Sequence, residues 1–142
     1  MSMRVKIKNL NSVGQIEAAV RNASEKAMEK AMADLVRVSS ETAPFDEGDL
    51  EDSWGKEVNV SGDSVIGTVD YRVFNQGFNY AIWTHEMNYN LGEGSQNKAG
   101  GDGLSGAHYP VNNKYLTRPF EGEAPTYRKL IEKEIKNTLK NL

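Results

Sequence analysis

The stretch IEAAVRNASEKAMEKAMADLVRVSSETAP, residues 16–44, decides the fold. Ile16, Ala19, Val20, Ala23, Ala27, Ala31, Leu35 and Val38 recur three and four apart, a spacing that sets side chains along one face of an α-helix. The predicted helix runs from about Ser12 to Thr42. Ser12 with Gln15 has the form of a capping box, and Pro44 disfavours helical geometry at Ala43 and ends the run. Such a helix is roughly 45 Å long, more than a small domain needs to cover one sheet. Its alanine-rich stripe permits close approach of a neighbour, and a core-facing role over most of its length is the expectation.

Ahead of the helix, Met3, Val5 and Ile7 alternate with Arg4, Lys6 and Lys8, the period of a short half-buried strand ending near Asn9. Behind it, Val58 and Val60 alternate with polar neighbours, Ser61-Gly62-Asp63-Ser64 supplies a turn, and Val65, Gly67, Val69, Tyr71 and Val73 resume the two-residue period. That pattern is a hairpin. Tyr80 to Thr84, rich in aromatic and β-branched residues, reads as a further strand, so an antiparallel sheet of three or four strands is expected. From 88 to 113 the chain turns to glycine, asparagine, serine and charge, which predicts a long loop that orders only on contact with a partner. A last helix is expected from near Pro125, with Tyr127, Leu130, Ile131, Glu134, Ile135, Thr138 and Leu142 on one side. The fold class is α+β, with two helices packed on a small antiparallel sheet in a single domain spanning residues 1–142.

Composition bounds the function. The 142 residues contain no cysteine, which excludes disulfides, thiolate zinc sites and cysteine nucleophiles. A net charge of -3 argues against nonspecific nucleic-acid binding by the whole chain. No run approaches the roughly 20 apolar residues of a membrane span, and MSMRVKIKNL lacks the apolar block of a secretory signal, so synthesis and retention in the cytoplasm are expected. The mean hydropathy of -0.62 is polar for a chain of this size and suggests burial completed by neighbours. Acids gather between Asp46 and Asp52, whereas Arg128, Lys129, Lys133, Lys136 and Lys140 make the tail basic. Opposite poles of this kind suit head-to-tail packing.

The search for chemistry is mostly negative. His85 is followed by Glu86, but position 89 is tyrosine, so the second histidine of a helical zinc site is missing. His108 would have to come to His85 through the fold to make a metal centre. The glycines of residues 92–106 contain no phosphate-binding loop sequence. The acids of TAPFDEGDLEDSW, residues 42–54, lack the spacing of a calcium loop. They read instead as a corner at which Leu50 and Trp54 return the chain to the core.

Taken in order, three motifs carry a likeness. Ala43, Pro44, Asp46, Gly48, Leu50 and Ser53 form the first, Tyr80, Ala81 and Glu86 the second, and Leu116, Arg118, Pro119 and Phe120 the third. This order resembles the neck, or tail-completion, proteins of long-tailed bacteriophages, often labelled minor tail or minor capsid components. Phe45, Glu47 and Met87-Asn88 depart from the usual motifs. The resemblance implies no catalysis, no metal and no cofactor. It implies a homo-oligomeric ring at the head-tail junction of a virion, assembled in the host cytoplasm and touching adjacent connector, neck and tail proteins. DNA would only pass through its channel, without sequence-specific binding, and no membrane is involved. It also implies that Pro44 and Gly48 shape the passage from helix to sheet, that Asp46 bonds the turn, and that Arg118 pairs with an acid of that turn or of the next subunit. Two other readings stay open at this point: a metal-dependent hydrolase using His85, Glu86 and His108, and a small regulatory binding module.

Overall fold

The structure is a computed structural model that describes residues 1–7, 15–45 and 48–141. Strand β1 (Ser2–Ile7) precedes helix α1 (Gln15–Thr42), and β2 (Trp54–Ser61) and β3 (Ser64–Tyr71) form the expected hairpin. Ser12 and Asn9 lie outside the described residues, as does Leu142. Gly62 takes a positive φ of 56° at the first central position of the hairpin turn, a conformation open to glycine and rare in other residues. The sheet has the order β1-β3-β2 and is antiparallel throughout.

Val65, Val69 and Tyr71 point from β3 toward α1 and are fully buried. Between them Gly67 lets the helix come close, since a Cβ there would lie 2.6 Å from Met28 Sδ and 2.7 Å from Met32 Cγ. The predicted stripe of α1 is buried at Val20, Ala23, Ala27, Ala31, Leu35 and Val38, and the apolar face is wider than that stripe because Met28 and Met32 are buried too. The extra width follows from α1 packing on both the sheet and the last helix. Tyr71 is buried without losing its hydroxyl partners: Ser39 Oγ lies at 2.6 Å and Ser40 Oγ at 3.0 Å. Burial raises its pKa.

Three expectations are corrected beyond this core. First, Tyr80–Glu86 is a helix, α2, and not a strand; it follows a two-residue-strand hairpin of β4 (Phe74–Asn75) and β5 (Phe78–Asn79). Asn79 caps it, its Oδ1 accepting from Ala81 N at 3.1 Å, and a capped aromatic run of seven residues has no strand partner to prefer. Second, residues 88–113 carry structure of their own: α3 (Glu93–Gln96) and a hairpin of β6 (Gly101–Asp102) with β7 (His108–Tyr109). Third, the last helix, α4 (Thr117–Lys140), starts well before Pro125, which sits inside it. Pro119 is the proline of the first turn, where a missing N–H costs nothing. Gly122 is required in α4 because a Cβ there would overlap the Tyr109 hydroxyl. Tyr127 and Ile131 are buried, and Leu130 and Ile135 pack against the same core.

Candidate assembly surface

The corner after α1 is built by the first motif. Ala43, Pro44 and Leu50 are buried, and Gly48 adopts a φ of 82°. Ser53 closes the turn: its Oγ donates to Leu50 O at 2.8 Å and its N–H to the same carbonyl at 3.1 Å. Asp46, assigned to the turn from the sequence, lies outside the described residues. Helix α1 has no basic residue in its last turn, which leaves its terminal carbonyls without a cation. Lys98 supplies it from the far segment, donating to Ser40 O at 3.0 Å, Ala43 O at 2.6 Å and Glu51 Oε2 at 2.6 Å. Glu51, one of the acids of the corner, is therefore held within the chain. Ser95 Oγ accepts from Phe45 N at 2.8 Å, and Gly94 leaves space for the Phe45 ring.

The second motif places α2 against the third. Ala81 is fully buried, and its carbonyl accepts from Tyr115 OH at 2.8 Å. Tyr115 meets Tyr71 edge-on at 5.3 Å and His85 edge-on at 5.0 Å, forming an aromatic column through the core. Burial, with Lys114 nearby, lowers the His85 pKa to about 4, so the ring is neutral and its Nε2 accepts from Thr117 N at 3.3 Å. Glu86 pairs with Lys114 at the rim.

Among the described residues Arg118 pairs with no acid of the corner. Its Nε donates to Asn113 O at 3.0 Å and its Nη2 to Pro110 O at 2.8 Å, so it closes the loop that leads into α4. Burial lowers its pKa, and carbonyl partners suit a guanidinium whose water has been partly removed. Pro119 is buried and Phe120 packs against the core.

The exposed side of this end is apolar. Phe74 is 63% exposed and Phe78 53%, with Ile82, Trp83 and Met87 also open to solvent on the adjoining helix. Gln76 and Gly77, with φ of 52° and 82°, hold the β4–β5 hairpin in a tight turn that presents the two phenylalanines. Trp83 stacks between Tyr80 and Tyr89, at 6.0 and 5.4 Å. A hollow of about 330 Å³ beside it is lined by Pro44, Phe45, Leu50, Tyr80, Trp83 and Tyr89 among others, so the first two motifs meet there. Sequence reading missed this surface by assigning Ile82 and Trp83 to a further strand of the sheet. The signal available was the Asn-Gln-Gly turn with a phenylalanine on each side.

A second polar cluster fixes residues 101–109 between the long helices. The fully buried Glu123 accepts from Ser105 N at 2.8 Å, Tyr109 OH at 2.7 Å and Ser105 Oγ. Asp34 on α1 accepts from Tyr127 OH at 2.7 Å and Leu104 N at 3.1 Å, while Arg37 bridges Asp34 and the Asp102 carbonyl. Gly103 is forced, because a side chain there would overlap the Glu123 carboxyl. His108 pairs with Asp102 at 2.6 Å, away from the core contacts of His85. Among the described residues no group of three or more His, Cys, Asp or Glu is placed to hold a metal ion, so the hydrolase constellation of His85, Glu86 and His108 does not form. No helix among them is long and apolar enough to cross a membrane.

The α+β scaffold thus sets its described motif residues at a corner, a capped helix and the start of α4, and beside them an exposed apolar end. A family model described as "Bacteriophage HK97-gp10, putative tail-component" matches residues 6–84, more than half of the chain. The chain belongs to that family, which gives it a structural role in a tailed phage and bears out the resemblance carried by its motifs. The match takes in the first motif and Tyr80-Ala81, and ends before Glu86 and the third motif. Neither curated proteins nor solved structures gave a match.

Proposed function

We propose that the protein joins head to tail in the virion, as a subunit of a homo-oligomeric neck or tail-completion ring through which DNA passes. Its partners are further copies and the adjacent connector and tail proteins, and it performs no catalysis. The observation that carries this reading is the exposed apolar end formed by Phe74, Phe78, Ile82, Trp83 and Met87 in a member of a phage tail-component family. An apolar patch on a rigid support is costly to leave in water and serves a subunit that buries it on a neighbour. On this reading Pro44, Asp46, Gly48, Leu50 and Ser53 hold the corner behind the patch. Tyr80, Ala81 and Glu86 set α2, and Arg118, Pro119 and Phe120 fix the start of α4 beneath it. The chain acts as one domain.

The test is complementation. A phage lacking its own copy is supplied with the Phe74→Ser/Phe78→Ser variant, whose changes lie on the surface and should leave far-UV circular dichroism and melting unchanged. Electron microscopy should then find filled heads and free tails unjoined. Joined particles at the wild-type yield would overturn the proposal.

A further inference from the structure

The sheet ends in two open edges among the described residues, since β1 and β2 each pair only with β3. An edge strand presents outward N–H and C=O groups that another strand can take up. The register fixes what each edge offers. On the side facing α1, Met3, Val5 and Ile7 of β1 lie opposite Val69, Gly67 and Val65, and all three are only partly buried. On the same side of β2, Trp54 stays 45% exposed and Val60 38%, and Lys56 between them is paired with Glu29 at 3.3 Å. The other side of the sheet separates charge: β1 shows Arg4 and Lys6, and β2 shows Glu57, which accepts from Asn59 at 2.7 Å. Among the described residues the Arg4 and Lys6 side chains make no hydrogen bond or ion pair.

We infer that β1 of one copy adds to β2 of the next, joining subunits through a continuous sheet. Both strands run antiparallel to β3 and therefore parallel to each other, so a head-to-tail repeat pairs them in parallel. That pairing brings Arg4 and Lys6 to Glu57 on one side and places the half-buried apolar residues of β1 beside Trp54 and Val60 on the other. Pairing like with like does the opposite: two β1 edges oppose cations, and two β2 edges oppose glutamates, both unfavourable across strands. Charge thus selects the heterologous join, which extends copy by copy until a ring closes. The interface lies on the sheet edges, apart from the apolar end assigned to head and tail partners. The inference rests on the ring reading above and specifies its contact.

Two variants test it, Glu57→Lys and Arg4→Glu/Lys6→Glu, in the full chain. All three positions are exposed, so circular dichroism and melting should match the wild type. Sedimentation equilibrium up to millimolar concentration should show each variant associating about tenfold more weakly than the wild type. An equimolar mixture should recover the wild-type association, because alternating copies are complementary at both edges. Variants that each associate as strongly as the wild type overturn the edge join and leave a ring built on other contacts standing. A wild type that stays monomeric overturns it too, while the complementation experiment judges the head-tail role independently.

Discussion

His85 ties the stability of the core to pH. Its side chain is fully buried, between the Tyr115 ring and the Thr117 backbone, and its pKa falls from 6.5 to about 4 because burial penalises the imidazolium and Lys114 repels it. Below 6.5 the unfolded chain takes up a proton that the folded chain refuses. The neutral ring therefore contributes stability that is fully present above 6.5 and lost as the pH falls toward 4. At roughly 1.36 kcal/mol per pH unit, the interval from 6.5 to about 4 amounts to about 3 kcal/mol. A chain of this size has roughly 5–15 kcal/mol in total, so the loss is readily measured. The perturbation is His85→Gln, whose amide oxygen can still accept from Thr117 N but does not titrate. Urea unfolding of both proteins, followed by circular dichroism from neutral pH to about 4, removes the common carboxylate contribution by difference. The wild type should lose stability relative to the variant with a limiting slope of about 1.4 kcal/mol per pH unit. Parallel curves for the two proteins would refute the reasoning.

Two further substitutions test the packing around α1. Lys98→Met removes the only side-chain cation at the helix terminus among the described residues and three hydrogen bonds at a largely buried position. It should cost about 1–3 kcal/mol in thermal unfolding, with Glu51→Gln costing less. Gly67→Ala drives a methyl into Met28 and Met32 and should cost about 1–3 kcal/mol; a melting temperature equal to that of the wild type would mean that the helix does not approach the sheet this closely.

The long helix and the β2–β3 hairpin were legible because a single period governs each. Helix α1 keeps its three-and-four spacing from Ile16 to Val38, and the hairpin alternates on both sides of a turn that only a glycine-containing sequence makes easily. Helix α2 was illegible for a reason of length: seven residues rich in aromatics satisfy both periods, and Asn79 decides between them through one capping bond. The start of α4 was hidden by Gly122 and Pro125, two residues that lower helix propensity. The first is there for Tyr109, a contact visible only in three dimensions. Residues 88–113 read as a loop because their order comes from Lys98, Ser105 and Tyr109 reaching α1 and α4 through polar groups that leave no period. Residues of the first two motifs line one hollow, and Arg118 found carbonyls where an acid was expected.

The same far-reaching bonds bear on how the chain folds. Lys98 meets Ala43 at a sequence separation of 55, and Leu104 meets Asp34 at one of 70. Contacts that distant demand a large loop-closure entropy before they return anything, whereas the β2–β3 hairpin and α1 form from near neighbours. Residues 88–113 should therefore seat late, after the rate-limiting step. Their bonds then act as a latch on the finished subunit: weakening them hastens unfolding and leaves the folding rate almost untouched.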